Sequence, residues 1–208
     1  QFTSPINVAI PSGNFGNAYS AWFGRTHGLP INEILCSTNV NDVLRRFING
    51  GLLEPLVTEP SVAPSMDIQI PSSLERLIFD LSSDAKSFYD QLQTNSKAQL
   101  DEKSVGGLQD VFSSITFTDE MIKTLITSLH DDFDIIFDPH SVTSVQMALD
   151  NNSTLPTVAV ATASPEKFGN VISPLINGFT ESKIDEKEQY LTLSTENVEI
   201  IEAIKAFI

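Results

Sequence analysis

Cations are scarce in this sequence: 12 Lys and Arg stand against 27 Asp and Glu in 208 residues, a formal charge of −15. So few positive side chains cannot neutralise a row of phosphates, which argues against a nucleic-acid surface and against docking on an anionic membrane. Cysteine is nearly absent. Cys36 alone excludes an intramolecular disulfide framework and fits a reducing compartment. No apolar run approaches the roughly 20 residues of a membrane span, and the opening QFTSPINVAI has no basic stretch leading into a long apolar one. A cytoplasmic location is the expectation. An initiator Met is missing as well: the chain starts at Gln1 and a strand-like run begins at Ile6, so it reads as cut from a longer protein. No internal repeat, low-complexity tract or Cys/His cluster with zinc spacing is legible.

What is present is an apolar content of 41%, enough for one domain or a domain with a subdomain. Ile6–Ile10 reads as a strand, Ala18 to His27 as a helix closed by Gly28, Glu33–Ser37 as a second strand, and Asp42–Asn49 as a helix stopped by Gly50-Gly51. This alternation predicts an α/β fold with a mostly parallel open sheet flanked by helices. Residues 1–51 would form the first part of that domain. Residues 52–130 read as a mainly helical insertion, with Ser72 and Glu75 at capping-box spacing and a loop over Gln93–Gly107. Residues 131–208 would complete the α/β domain. That part offers a strand at Phe133–Phe137, a helix at Ser141–Asp150, a strand at Thr157–Ala161, a helix opened by Ser164-Pro165, a strand at Gln189–Leu193 and a closing helix from Thr195.

The chemistry concentrates in Ser12-Gly13-Asn14-Phe15-Gly16-Asn17, between the first strand and first helix. Such a loop aims backbone N–H groups at a phosphate while the helix N-terminus adds partial positive charge. Gly13 and Gly16 leave room for the approach, Asn14 and Asn17 bring amide donors, and no Lys or Arg is present. It lacks the Gly-Lys-Ser/Thr of a Walker loop and the full dinucleotide fingerprint. Many Gly/Asn turns bind nothing, so the loop pattern alone leaves both readings open.

The segment Pro11-Ser12-Gly13-Asn14-Phe15-Gly16-Asn17 resembles the phosphate-binding loop of the threonine synthase family. Further blocks agree in order: Gly28-Leu29-Pro30-Ile31, Thr38 to Phe47, Pro64 to Arg76, Asp138-Pro139-His140-Ser141, and Ala161 to Phe168. The resemblance implies the C-terminal portion of a pyridoxal-phosphate enzyme of fold type II. Such an enzyme converts O-phosphohomoserine and water to threonine and phosphate by proton removal at the α- and β-carbons, loss of the γ-phosphate and addition of water. It implies that Gly13, Asn14, Phe15, Gly16 and Asn17 bind the cofactor phosphate and that Thr162 hydrogen-bonds the ring nitrogen. The family's Schiff-base lysine lies N-terminal to the phosphate loop, where this chain has none; its first lysine is Lys86. The chain alone is therefore expected to be inactive, its partner being the missing N-terminal part of the same enzyme. Ser164 stands where the family has His, which leaves a rival from another class: a non-catalytic, threonine-synthase-like module that binds an anion or a partner.

Other residues carry two readings each. His140, at a strand-to-helix junction, is a site residue or, the favoured reading, a turn and packing residue. Asn39, Asn41 and Asp42 point into a cleft or cap a helix, and capping is favoured. Arg45, Arg46 and Arg76 hold an anionic substrate or, more ordinarily, make salt bridges. His27 and His130 suit helix ends, and Cys36 reads as a small buried hydrophobe.

Overall fold

A computed structural model of the chain describes residues 4–82 and 84–180. The chain first lays down β1 (Ile6–Pro11), α1 (Gly16–Thr26), β2 (Ile31–Thr38) and α2 (Val43–Gly50). All four match the sequence pattern to within two residues. Gly51, at φ 71, closes α2 in the left-handed region, and a Cβ there would lie 2.4 Å from Val105 Cγ2. A side chain at this position would be both strained and crowded.

Next come β3 (Leu52–Leu53), a 3-10 turn at Pro64–Met66, α3 (Leu74–Leu81), α4 (Ala85–Asn95), β4 (Ala98–Gln99) and α5 (Glu102–Gln109). The expected loop over Gln93–Gly107 is thus a short strand paired with β3 and most of a helix. Asp101 opens that helix by accepting the Ser104 N–H at 3.0 Å. The expected capping box is also displaced: Ser73, not Ser72, occupies the cap of α3, and its side chain makes no capping bond.

The third strand of the core is β5 (Phe112–Thr116), which lies inside the stretch expected to be mainly helical. The run Phe133–Phe137 is not a strand. Helix α6 (Asp119–Phe133), capped by Thr118, runs into it and stops at Asp134, φ 54. Then follow α7 (Ser141–Asp150), β6 (Thr157–Ala159), a 3-10 turn at Pro165–Phe168 and α8 (Gly169–Ile172). The readings at Gln189–Leu193 and beyond Thr195 fall outside the described residues.

The main sheet has the order β5-β2-β1-β6, every neighbour parallel. Alternate side chains face opposite ways. Val8, Ile10, Ile34 and Cys36 join the core formed with α1 to α5, whereas Ala9 and Leu35 join the one formed with α6, α7 and α8. The chain moves outward from β1 to β2 and β5, then returns to place β6 on the other side of β1. The boundary between β1 and β6 is therefore a topological switch point, where the loops leaving the strands' C-terminal ends diverge and leave a crevice.

Candidate functional site

The switch point brings together the two segments that the sequence singles out. Ala9 pairs with Ala159, and the Val160 N–H donates to the Ala9 carbonyl at 2.9 Å. Three residues past that pair, beyond the ends of the strands, stand Ser12 after β1 and Thr162 after β6, so the glycine-rich loop and the Thr162 loop leave the sheet side by side.

The first loop is shaped by Phe15. It adopts the left-handed conformation at φ 69, ψ 10, uncommon for a non-glycine residue, and is only 1% exposed. Its ring packs on Phe112 with centroids 5.6 Å apart. Driving the ring into the core turns the backbone outward, and none of the N–H groups from Gly13 to Asn17 donates to a backbone carbonyl among the described residues. Strain of this kind persists where surrounding packing enforces it, and it gathers at ligand sites.

Support comes from the segment before α3. A Cβ on Gly13 would sit 2.4 Å from the Ser65 carbonyl oxygen, so only glycine fits. Asn14 accepts the Ser72 N–H (3.3 Å) and hydroxyl (3.2 Å) through its side-chain oxygen, and its amide N–H₂ has no partner among the described residues. This contact explains Ser72, which the capping pattern misassigned. By contrast, a Cβ on Gly16 would meet only Ser73 Oγ, at 3.8 Å, so space remains over the first turn of α1.

The segment bearing Ser65 is itself clamped. The Asp67 carboxylate accepts from Asn39 Nδ2 (2.6 Å), Asn41 Nδ2 (3.1 Å) and Ser61 Oγ (2.7 Å). Asn41 Oδ1 also takes the Glu59 N–H at 2.9 Å. Asn39 and Asn41 thus hold a loop instead of capping a helix. Asp42 binds Arg45 and, at 2.9 Å, Arg46; burial opposes its charge, but these partners hold its carboxyl below the usual value. Arg76 lies over the Tyr19 ring at 5.8 Å. Arg45 and Arg46 are thus salt-bridged, as the plainer reading had it, whereas Arg76 meets an aromatic ring and makes no ion pair among the described residues.

Thr162 is exposed, and its N–H donates to Ser141 Oγ at 2.9 Å. Ser144 Oγ donates to the Val160 carbonyl at 2.9 Å, so α7 holds the loop at two points. His140, Asp138 and Ser141 are buried at the start of α7. The Asp138–Ser141 block was visible as a motif, but only the fold shows its buried side chains facing two loops. Ser164 opens the following turn without a side-chain capping bond, contrary to the cap expected there. His27 stacks on Phe23 at the end of α1 with centroids 4.0 Å apart. Cys36 is fully buried, and burial pushes its thiol up to about 12, which suits an inert core residue.

Comparison with known proteins bears on the family. Threonine synthase of Pseudomonas aeruginosa is 30% identical over 173 residues, covering 80% of this chain and 37% of the relative. The chain is homologous to the threonine synthases. The solved structure of PLP-bound threonine synthase from Brucella melitensis superposes with a TM-score of 0.82 at 27% identity, over 97% of this chain and 46% of that one. Human threonine synthase-like 1 is 30% identical over 180 residues, 83% of this chain and 24% of that protein. The chain therefore spans less than half the length of these relatives. No protein-family model matches it.

Proposed function

We propose that this chain is the C-terminal portion of a threonine synthase and supplies its cofactor cradle. The full enzyme would convert O-phosphohomoserine and water to threonine and phosphate. The observation that carries the reading is the loop Gly13–Asn17 at the switch point, with backbone N–H groups unclaimed by any carbonyl among the described residues. A phosphate accepts several such donors at once and is favoured further by the N-terminus of α1.

The residues fit pyridoxal phosphate. Gly13, Asn14, Phe15, Gly16 and Asn17 would hold its phosphate through backbone N–H groups and the side-chain amide of Asn14. Thr162, on the neighbouring loop, would donate its hydroxyl to the ring nitrogen. When bound, the cofactor supplies the electron sink for charge developing on substrate carbons. Thr162 leaves the ring nitrogen unprotonated where an Asp would protonate it, which moderates that sink and suits elimination followed by replacement. The protein's part here is binding and orientation. Proton transfer at the α- and β-carbons is assigned to a lysine outside the chain, consistent with relatives more than twice as long.

One observation favours a second reading, a threonine-synthase-like module without this activity. Ser164 replaces the family's His, and its side chain caps nothing. One assay separates the two: phosphate release from O-phosphohomoserine by the full natural chain with added pyridoxal phosphate. Release by the full chain and none by residues 1–208 is the expected result. A folded, cofactor-loaded full chain that releases no phosphate leaves the second reading standing.

A further inference from the structure

We infer that Asp138, His140 and Ser141 act as one positioning unit that sets the spacing between the loop after β1 and the loop after β6. The inference rests on the proposal that these two loops hold one cofactor. The three side chains belong to residues only 1%, 3% and 1% exposed, so water does not compete for their hydrogen bonds.

Two arms converge on the Asp138 carboxylate. In the first, the Ser65 N–H donates to His140 Nε2 at 3.1 Å. An accepting Nε2 places the ring proton on Nδ1, and Nδ1–H donates to Asp138 Oδ1 at 2.8 Å. In the second, the Thr162 N–H donates to Ser141 Oγ at 2.9 Å, and the Ser141 hydroxyl donates to Asp138 Oδ2. The His140 N–H also reaches Asp138 Oδ1 at 2.9 Å, which ties the carboxylate to the backbone of its own turn.

The ends of the arms lie on opposite sides of the switch point. Ser65 is the residue whose carbonyl would meet a Cβ on Gly13 at 2.4 Å, and Thr162 is the proposed ring-nitrogen contact. The His140 ring also packs on Phe168, centroids 4.9 Å apart, adding an apolar contact on the β6 side. A path therefore runs Gly13, Ser65, His140, Asp138, Ser141, Thr162, buried in its middle at His140, Asp138 and Ser141 and exposed at Ser65 and Thr162. A cofactor gripped at its phosphate and its ring nitrogen needs those two grips at a fixed distance, which exposed loops do not maintain by themselves.

The geometry also separates positioning from proton transfer. Both ring nitrogens of His140 are committed, one accepting from backbone and one donating to a carboxylate. A histidine so occupied has no free position from which to exchange a proton with substrate.

The test uses the full natural chain and its His140→Asn and Ser141→Ala variants, read first without cofactor by amide hydrogen exchange. Asn keeps a donor near the place of Nδ1 but has no atom at the place of Nε2. If the unit is continuous, each variant speeds exchange at both Ser65 and Thr162 by about tenfold, relative to protected amides of β1 and β2. Variants that each loosen only their own arm overturn the proposal. If His140→Asn also loses protection in β1 and β2, His140→Gln takes its place, since Gln retains an acceptor for the Ser65 N–H but loses the donor to Asp138; it is then expected to loosen Thr162 on the far arm, and exchange at Thr162 left unchanged overturns the proposal.

The second readout is affinity for pyridoxal phosphate by fluorescence titration. Each single variant weakens binding about tenfold, and the double variant weakens it no further, because one broken link already severs the path. Losses that multiply in the double variant overturn the unit. Should the unmodified full chain bind no pyridoxal phosphate, the cofactor reading fails, while hydrogen exchange still decides whether the unit exists.

Discussion

The loop after β1 is anchored by an aromatic ring, whereas the loop after β6 is tethered by hydrogen bonds from α7. Phe15 is 1% exposed and packs on Phe112; Thr162 is exposed and held through its N–H by Ser141. The first loop thus draws its shape from the hydrophobic core, a large and non-directional force. The second draws its shape from a few directional bonds, each of small net worth but expensive to leave half made. The proposed phosphate cradle would need several N–H groups held rigidly, which burial of one large ring can achieve. The proposed contact to a ring nitrogen would need one hydroxyl at one place, which a tether is enough to set.

The largest way to break the comparison is Phe15→Ala. It removes a fully buried ring from the junction of α1, β5 and the loop, and is expected to cost about 3–5 kcal/mol in urea unfolding. A cost below about 1 kcal/mol would show that the ring is not the anchor. Next is the pair of glycines. Gly13→Ala forces a Cβ to within 2.4 Å of the Ser65 carbonyl, and overpacking against backbone costs about 1–3 kcal/mol. Gly16→Ala meets nothing closer than 3.8 Å and should leave stability within about 0.5 kcal/mol, while its methyl group crowds the phosphate and weakens pyridoxal phosphate binding. Gly13 then tests the support of the loop and Gly16 its use. Equal losses of stability in the two variants would contradict the difference in packing that the structure shows between them.

The same contrast governs what could be read from the sequence. The β1 loop was legible because its signals are local: glycines at fixed offsets, a strand before and a helix after. Helix α7 was legible from local pattern as well. The third core strand was missed because β5 reads Phe-Ser-Ser-Ile-Thr, where hydroxyls stand in for apolar side chains. In the fold Ser114 donates to the Cys36 carbonyl at 2.7 Å, and Thr116 pairs with Thr38 at 2.8 Å, so these polar groups are satisfied by the neighbouring strand. Conversely, Ile135-Ile136-Phe137 has the composition of a strand, but the helix capped at Thr118 continues through Phe133. After the turn at Asp134 the run pairs with no strand of the sheet among the described residues. The Asp138 cluster was visible as a block of letters, but its purpose depends on partners far along the chain, at Ser65 and Thr162. Local pattern carries no information about such partners.

A smaller effect sharpens the comparison through pH. Burial opposes the charge on Asp138, but hydrogen bonds from His140 and Ser141 outweigh it and hold the carboxyl below its ordinary value of 3.8. A depressed carboxyl stabilises the fold above the unfolded value, and that contribution is lost as pH falls from about 3.8 toward the folded value. Asp138→Asn should therefore flatten the acid limb of stability measured by urea midpoint against pH. It should leave the slope above pH 5 unchanged. An acid limb identical in both proteins would mean that the tether owes nothing to this charge.

The smallest expected effect on stability, and the most specific on chemistry, belongs to Thr162→Ala. The side chain is exposed, and the tether to Ser141 uses the backbone N–H, which alanine keeps. Stability should stay within about 0.5 kcal/mol. If the hydroxyl donates to the ring nitrogen of pyridoxal phosphate, its removal changes the environment of that nitrogen alone. The absorption and emission bands of the bound cofactor should shift, while binding contributed by the phosphate is largely retained. Thr162→Ser, which keeps a hydroxyl, should restore the bands. Bands indifferent to both substitutions would move the ring-nitrogen contact elsewhere and leave the β6 loop a structural tether with no hand in the chemistry.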